Sequence, residues 1–222
     1  MTTAFVVIAA LAAVAALCHL QVSHLRRVRR ERRALFADVQ DVLDDAVVHQ
    51  DGLGYPALSG TYRGHPVRLR VVVDTLTLRK LPALWLLITQ VRRLDVEEPI
   101  DVLLRPSGAE FFSPNAEFAH ELPPPDWLPR PARIASPRST SALPAVEHLA
   151  PLLRDPRTKE VLVSGDGVRV VRQLAEGAQG PYRTARRPDF GPVRLLPDGL
   201  CHLLDTISDA GDVLAGGEVR SR

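Results

Sequence analysis

The side chains in this sequence best suited to chemistry are basic. Arg68 and Arg70 stand two residues apart, Arg79 and Lys80 precede Trp85, and Arg183, Arg186 and Arg187 recur in a glycine-containing stretch. A guanidinium offers planar, bidentate donors to a carboxylate or a phosphate, so these positions suit an anionic ligand or an anionic membrane surface. Arg68, Arg70, Arg79 and Trp85 are the candidate ligand-binding residues; Trp85 is either the anchor of a recognition loop or part of a turn feeding the next strand. Solvated strand faces account for exposed arginines equally well.

Catalytic and metal-binding patterns do not emerge. There is no G-x-S-x-G elbow, no G-x-x-x-x-G-K-[ST] phosphate loop and no G-x-G-x-x-G after a strand. His120-Glu121 runs into Leu122-Pro123-Pro124 without a second histidine one helical turn later, which excludes a zincin motif. His49, His65, His148 and His202 follow no ligand spacing, and Cys18 and Cys201 supply neither a disulfide framework nor a four-cysteine zinc site. Asp166, between Gly165 and Gly167 and near Ser164, is hairpin-turn chemistry. No catalytic residue, metal or cofactor is therefore assigned, and a binding role is favoured over catalysis. The alternative is an enzyme acting on an anionic or lipid-derived substrate held by Arg68, Arg70 and Arg79, with an acid such as Asp74 as base.

Every residue from Ala4 to Cys18 is apolar, and the run continues past His19 to Leu20 and Val22. At ~1.5 Å per residue such a helix nearly spans a hydrocarbon core of about 30 Å. A cleaved signal peptide is the competing reading, since several alanines offer small-x-small cleavage patterns. Its positive charge, however, precedes the apolar run, and Met1 to Phe5 holds no Lys or Arg. Here Arg26, Arg27, Arg29, Arg30, Arg32 and Arg33 come afterwards, opposed by Glu31. Basic residues beside a span stay on the cytoplasmic side, so the N-terminus is expected outside a bacterial inner membrane and the soluble part in the cytoplasm. The same arginines are suited to anionic lipid headgroups at ~1 kcal/mol each. They also account for the whole of the formal net charge of +2, which argues against a nucleic-acid partner.

The elements that must position these residues follow from periodicity. Leu25, Val28, Leu35, Val39, Val42 and Ala46 recur at helical spacing, predicting an amphipathic helix that continues the span to Asp51-Gly52. Its stripe is either packed on the chain's own domain or a short homodimer seam over residues 25–47. Alternation then predicts strands at Ala57 to Tyr62 and His65 to Asp74 around an Arg63-Gly64 turn, and at Leu84 to Val91 and Ile100 to Leu104. The strand at 84–91 is apolar on both faces and is expected at the centre of a sheet.

Prolines between Arg105 and Leu143 predict an extended connection with a short strand at Ala132 to Ala135. Pro123-Pro124-Pro125 before Trp127 is read as a segment pinned to the domain rather than a docking motif. A helix from Pro144 to Pro156, strands at Lys159 to Ser164 and Val168 to Leu174, and a helix from Leu196 to Leu214 complete the chain.

Gly60-Thr61-Tyr62-Arg63-Gly64, Asp74-Thr75-Leu76 and Arg79-Lys80-Leu81-Pro82-Ala83-Leu84-Trp85-Leu86 resemble a pattern in uncharacterised bacterial membrane-anchored proteins. Lys159-Glu160-Val161-Leu162-Val163 with Gly167-Val168-Arg169 is similar too. The resemblance implies a bacterial source and a recurring domain, and no activity.

The expected organisation is a transmembrane anchor at 1–24, an amphipathic helix at 25–51, a soluble α+β domain of mostly antiparallel strands at 52–216 and a frayed tail at 217–222. The expected function is a membrane-anchored, cytoplasm-facing binding or scaffold module.

Overall fold

Along the first helix, α1 (Thr2–Arg33), apolar side chains face outward on every side; Phe5, Ile8, Leu11 and Leu17 are all largely exposed. The helix is long and apolar enough to cross a membrane, and a signal sequence would pass the same test. In the computed structural model, residues 2–75, 81–138, 146–180, 182 and 188–216 are described.

The helix expected to reach Asp51 changes character at Arg33. Two 3-10 turns follow, Ala34–Phe36 and Gln40–Val42, and then a strand, β1 (Asp44–His49). The Leu35 carbonyl accepts from the Leu195 amide at 3.0 Å instead of extending the helix, which turns the chain so that Leu35, Phe36, Val39 and Leu43 enter the core. The four-residue step from Val42 to Ala46 fits a strand as well as a helix, and Ala46 and Val48 alternate inward along β1. Of the stripe considered for a homodimer, Leu35 and Val39 are spent in the chain's own core.

The end of α1 is tied to the loop after β1. Gln50 Nε2 donates to the Arg29 carbonyl at 3.2 Å, Arg32 donates to the Leu53 carbonyl, and its guanidinium lies 5.0 Å from the Tyr55 ring centre.

The remaining strands are β2 (Ala57–Tyr62), β3 (His65–Asp74), β4 (Ala83–Val91), β5 (Ile100–Leu104), β6 (His120–Leu122), β7 (Ala132–Ser136), β8 (Thr158–Ser164) and β9 (Gly167–Glu176). With β1 they form one sheet in the order β1-β2-β3-β4-β9-β8-β5-β7-β6, every neighbouring pair antiparallel. The architecture is α+β, as the alternation of strand and helix patterns predicts. β4 lies inside the sheet and is buried from Ala83 to Ile88, the two-faced burial expected of it.

One face of the sheet carries the main core. Leu58, Leu69, Leu86, Ile88, Val170, Val161 and Val102 pack beneath α3 (Pro197–Leu214) and α2 (Ala150–Leu153). Leu200, Leu203, Leu204, Ile207 and Leu214 recur at the helical period, and Pro197 sits in the first turn, where its missing amide costs nothing. The expected helix start at Pro144 lies outside the described residues, as does the tail after Gly216.

Candidate functional site: an arginine groove beside a buried acid pair

The second face of the sheet is built differently. Side chains alternate across each strand, so the residues opposite the core face form rungs that can be read from the pairing. Ser59 opposes Arg68, Arg68 opposes Thr89, Thr89 opposes Arg169, Arg169 opposes Leu162, and Leu162 opposes Asp101. On the next rung Arg70 opposes Leu87, Leu87 opposes Val171, Val171 opposes Glu160, and Glu160 opposes Leu103. Arg68 and Arg169 are thus two strands apart, about 10 Å between backbones, and Arg70 is about 7 Å along β3 from Arg68.

Residues 105–118 cross part of this face as a strap. Glu110 holds it: its carboxylate accepts from the Ser107 amide at 2.7 Å and the Gly108 amide at 2.9 Å, and pairs with Lys159 at 2.7 Å. Lys159 also donates to the Arg105 carbonyl at 2.6 Å. Burial alone would raise the Glu110 carboxyl, but Lys159 and Ser107 hold it down, to about 2. Farther along, Phe112 packs on Trp85 with ring centres 5.9 Å apart, above Ala83, Leu87 and Val171.

Between the strap and the β2–β3 hairpin lies a groove of about 750 Å³. Arg68, Arg70 and Arg169 line it with Ser59, Thr89 and Phe111, the last an aromatic ring 56% exposed at its lip. Arg68 and Arg70 are exposed and form no ion pair among the described residues. Of the residues expected to bind a ligand, the fold therefore brings Arg68 and Arg70 together. Trp85 is on the same face but outside the groove, 8% exposed, its indole Nε1 donating to Asp74 Oδ2 at 3.4 Å. Asp74, considered as a base, is buried beside it and does not line the groove. Arg79, with Lys80, Arg183, Arg186 and Arg187, lies outside the described residues.

Beside the groove, under the strap, is a group that sequence reasoning passed over. Asp101 and Glu160 are fully buried on the groove side of β5 and β8. Glu160 Oε1 accepts from Arg169 Nη2 at 2.5 Å, and Asp101 Oδ2 accepts from the Ser113 hydroxyl at 3.1 Å. Asp101 Oδ1, Glu160 Oε2 and Arg169 Nε are buried without a hydrogen-bond partner. Burial first, and repulsion from Glu160 second, pushes the Asp101 carboxyl up to about 8; burial likewise raises Glu160, against the pull of Arg169. The arrangement sets two buried carboxyls against one cation, Arg169, which bonds Glu160 and also lines the groove. Asp101 in the otherwise apolar strand Ile100–Leu104, and Glu160 beside Lys159 in the buried strand Thr158–Ser164, were the available signal.

The basic residues after the apolar run occupy the last turns of α1. Arg26, Arg29, Arg30 and Arg33 are exposed, Arg27 pairs with Glu31 at 2.7 Å, and Arg32 is engaged by the β1–β2 loop. Among the described residues no three His, Cys, Asp or Glu side chains cluster as metal ligands. Compared with protein-family models, curated proteins and solved structures, the chain matches none.

Proposed function

We propose that this chain is a single-pass protein of a bacterial inner membrane whose cytoplasmic domain binds a phosphate-type anion in the groove formed by Arg68, Arg70 and Arg169. The observation that carries the proposal is the convergence of three guanidiniums from two strands on one concavity, with hydroxyls at Ser59 and Thr89 and an aromatic lip at Phe111. Neither Arg68 nor Arg70 is neutralised by a described ion pair, so their donors are available for a phosphate. Support for the membrane comes from the apolar length of α1 and from the arginines that follow it and not precede it. Because α1 is tied at Arg29 and Arg32 to the β1–β2 loop, the domain would sit close to the headgroups. The phosphate then belongs either to a soluble compound or to a lipid headgroup.

The test is the guanidinium Nε NMR spectrum of the full-length chain in nanodiscs of uncharged lipid, titrated with inorganic phosphate and, separately, with a phosphatidic-acid fraction in the disc. The signals of Arg68, Arg70 and Arg169 shift together, while Arg63, paired with Asp205 and Asp209, stays. Arg68→Gln weakens binding by roughly tenfold, as loss of a charge-assisted contact requires. A response to the lipid and not to free phosphate assigns the headgroup as the source; the reverse assigns a soluble ligand. Shifts spread over all arginines, or over none, overturn the groove. The alternative, an enzyme acting on an anionic substrate, displaces a binding-only role if a phosphate ester turns over and Arg68→Gln abolishes that turnover.

A further inference from the structure

Arg169 has two claims on its charge. Its side chain lines the groove and is 23% exposed, yet its Nη2 is 2.5 Å from the fully buried Glu160 carboxylate. Two carboxyls in one buried site cannot both ionise without cations to match, and here the supply is limited. The charged groups around the pair are Arg169 from β9, Lys159 from β8, Arg133 from β7 and Glu110 from the strap. Lys159 is taken by Glu110, and Arg133 by Glu121 at 3.2 Å and Asn115 Oδ1 at 2.8 Å. Arg169 is left as the cation that acts on Asp101 and Glu160 together.

Building on the reading of the groove as an anion site, we infer that it takes up its anion together with a proton, the proton landing on the Asp101–Glu160 pair and Arg169 linking the two events. An anion that engages Arg169 offsets the positive charge that keeps Glu160 ionised, and the pair's affinity for a proton rises. By reciprocity, a proton on the pair frees Arg169 for the groove, and the anion binds more tightly. The unpartnered oxygens Asp101 Oδ1 and Glu160 Oε2 are the sites open to that proton, each a buried acceptor with no donor against it. Neither carboxyl touches the ligand, because both are fully buried under the strap beside the groove and neither lines it. They act through Arg169, as positioning residues.

The sign is fixed by the direction of the shifts. Above the pair's titration both carboxyls are ionised and hold Arg169 against them; as pH falls, the proton goes on and groove affinity rises.

Sulfate is the appropriate probe, since it stays a dianion across the neutral range and any pH dependence belongs to the protein. Calorimetric titration of the full-length chain with sulfate, in two buffers of different protonation enthalpy, reads net proton exchange directly. At about pH 8 binding is expected to take up a fraction of a proton, and affinity at about pH 6.5 to exceed that at about pH 9 by roughly 5- to 20-fold, an ordinary site-to-site coupling. The double substitution Asp101→Asn, Glu160→Gln flattens that dependence.

A ligand-free arm separates this inference from the groove itself. In Arg169→Gln the infrared carboxylic-acid band at neutral pH grows relative to the native chain. Sulfate that binds without proton exchange overturns the linkage and leaves the groove standing. Sulfate that fails to bind removes the groove reading, and an unchanged carboxylic-acid band then removes the linkage as well.

Discussion

Asp101, the second residue of β5, has no exposure and stands in the field of the buried Glu160, an arrangement that favours the neutral carboxyl. Its value in the folded chain lies above the ordinary 3.8, so the protonated form is the one that folding favours. That contribution is complete at low pH and is lost as pH rises from about 4 through about 8. Asp101→Asn keeps the neutral shape and removes this titration; urea unfolding across this range should show native stability declining with pH more steeply than that of the variant, in which Glu160 still titrates. An equal slope in both would mean that Asp101 is ionised in the fold.

The surface arginines of β3 were legible in the sequence because alternation places Arg68 and Arg70 on one face. Their third partner was not. Arg169 obeys the same alternation, but only the insertion of the β8–β9 hairpin between β4 and β5 brings it across from Thr89, and no local pattern specifies strand order.

At the scale of elements, periodicity located seven of the nine strands and erred where two periods coincide. A spacing of four is even, so Val42 and Ala46 satisfy helix and strand alike, and the partner strand β2 decides for β1. β6 spans three residues between proline-rich stretches, too short for alternation to register. The central hairpin depends on a glycine for steric reasons. Gly167 has φ of 147°, and a Cβ there would stand 2.1 Å from the Gln90 carbonyl oxygen. Gly167→Ala should lower stability by roughly 2–4 kcal/mol. By contrast a Cβ at Gly199, in the first turn of α3, meets nothing within 4 Å. Gly199→Ala should be neutral or stabilising by about 0.5 kcal/mol through the chain entropy glycine loses in a helix. Chemical denaturation of both variants checks the contrast; equal effects would remove the steric argument.

For the whole molecule, the arginine groove acquires its proposed meaning from where α1 holds it. The pinned β1–β2 loop places the sheet at the end of α1, and on the proposed reading of that helix as a membrane span the arginines from Arg26 to Arg33 favour the cytoplasmic side. One measurement addresses side and site together. In a chain with Cys18→Ser and Cys201→Ser, Ser59→Cys puts a thiol on the groove wall, where the native serine is exposed. A membrane-impermeant maleimide should label it in inside-out inner-membrane vesicles and not in intact spheroplasts, and phosphate should slow the labelling. Labelling from the outer side of spheroplasts, or labelling at the same rate with and without phosphate, would contradict a groove that serves as an anion receptor on the cytoplasmic face.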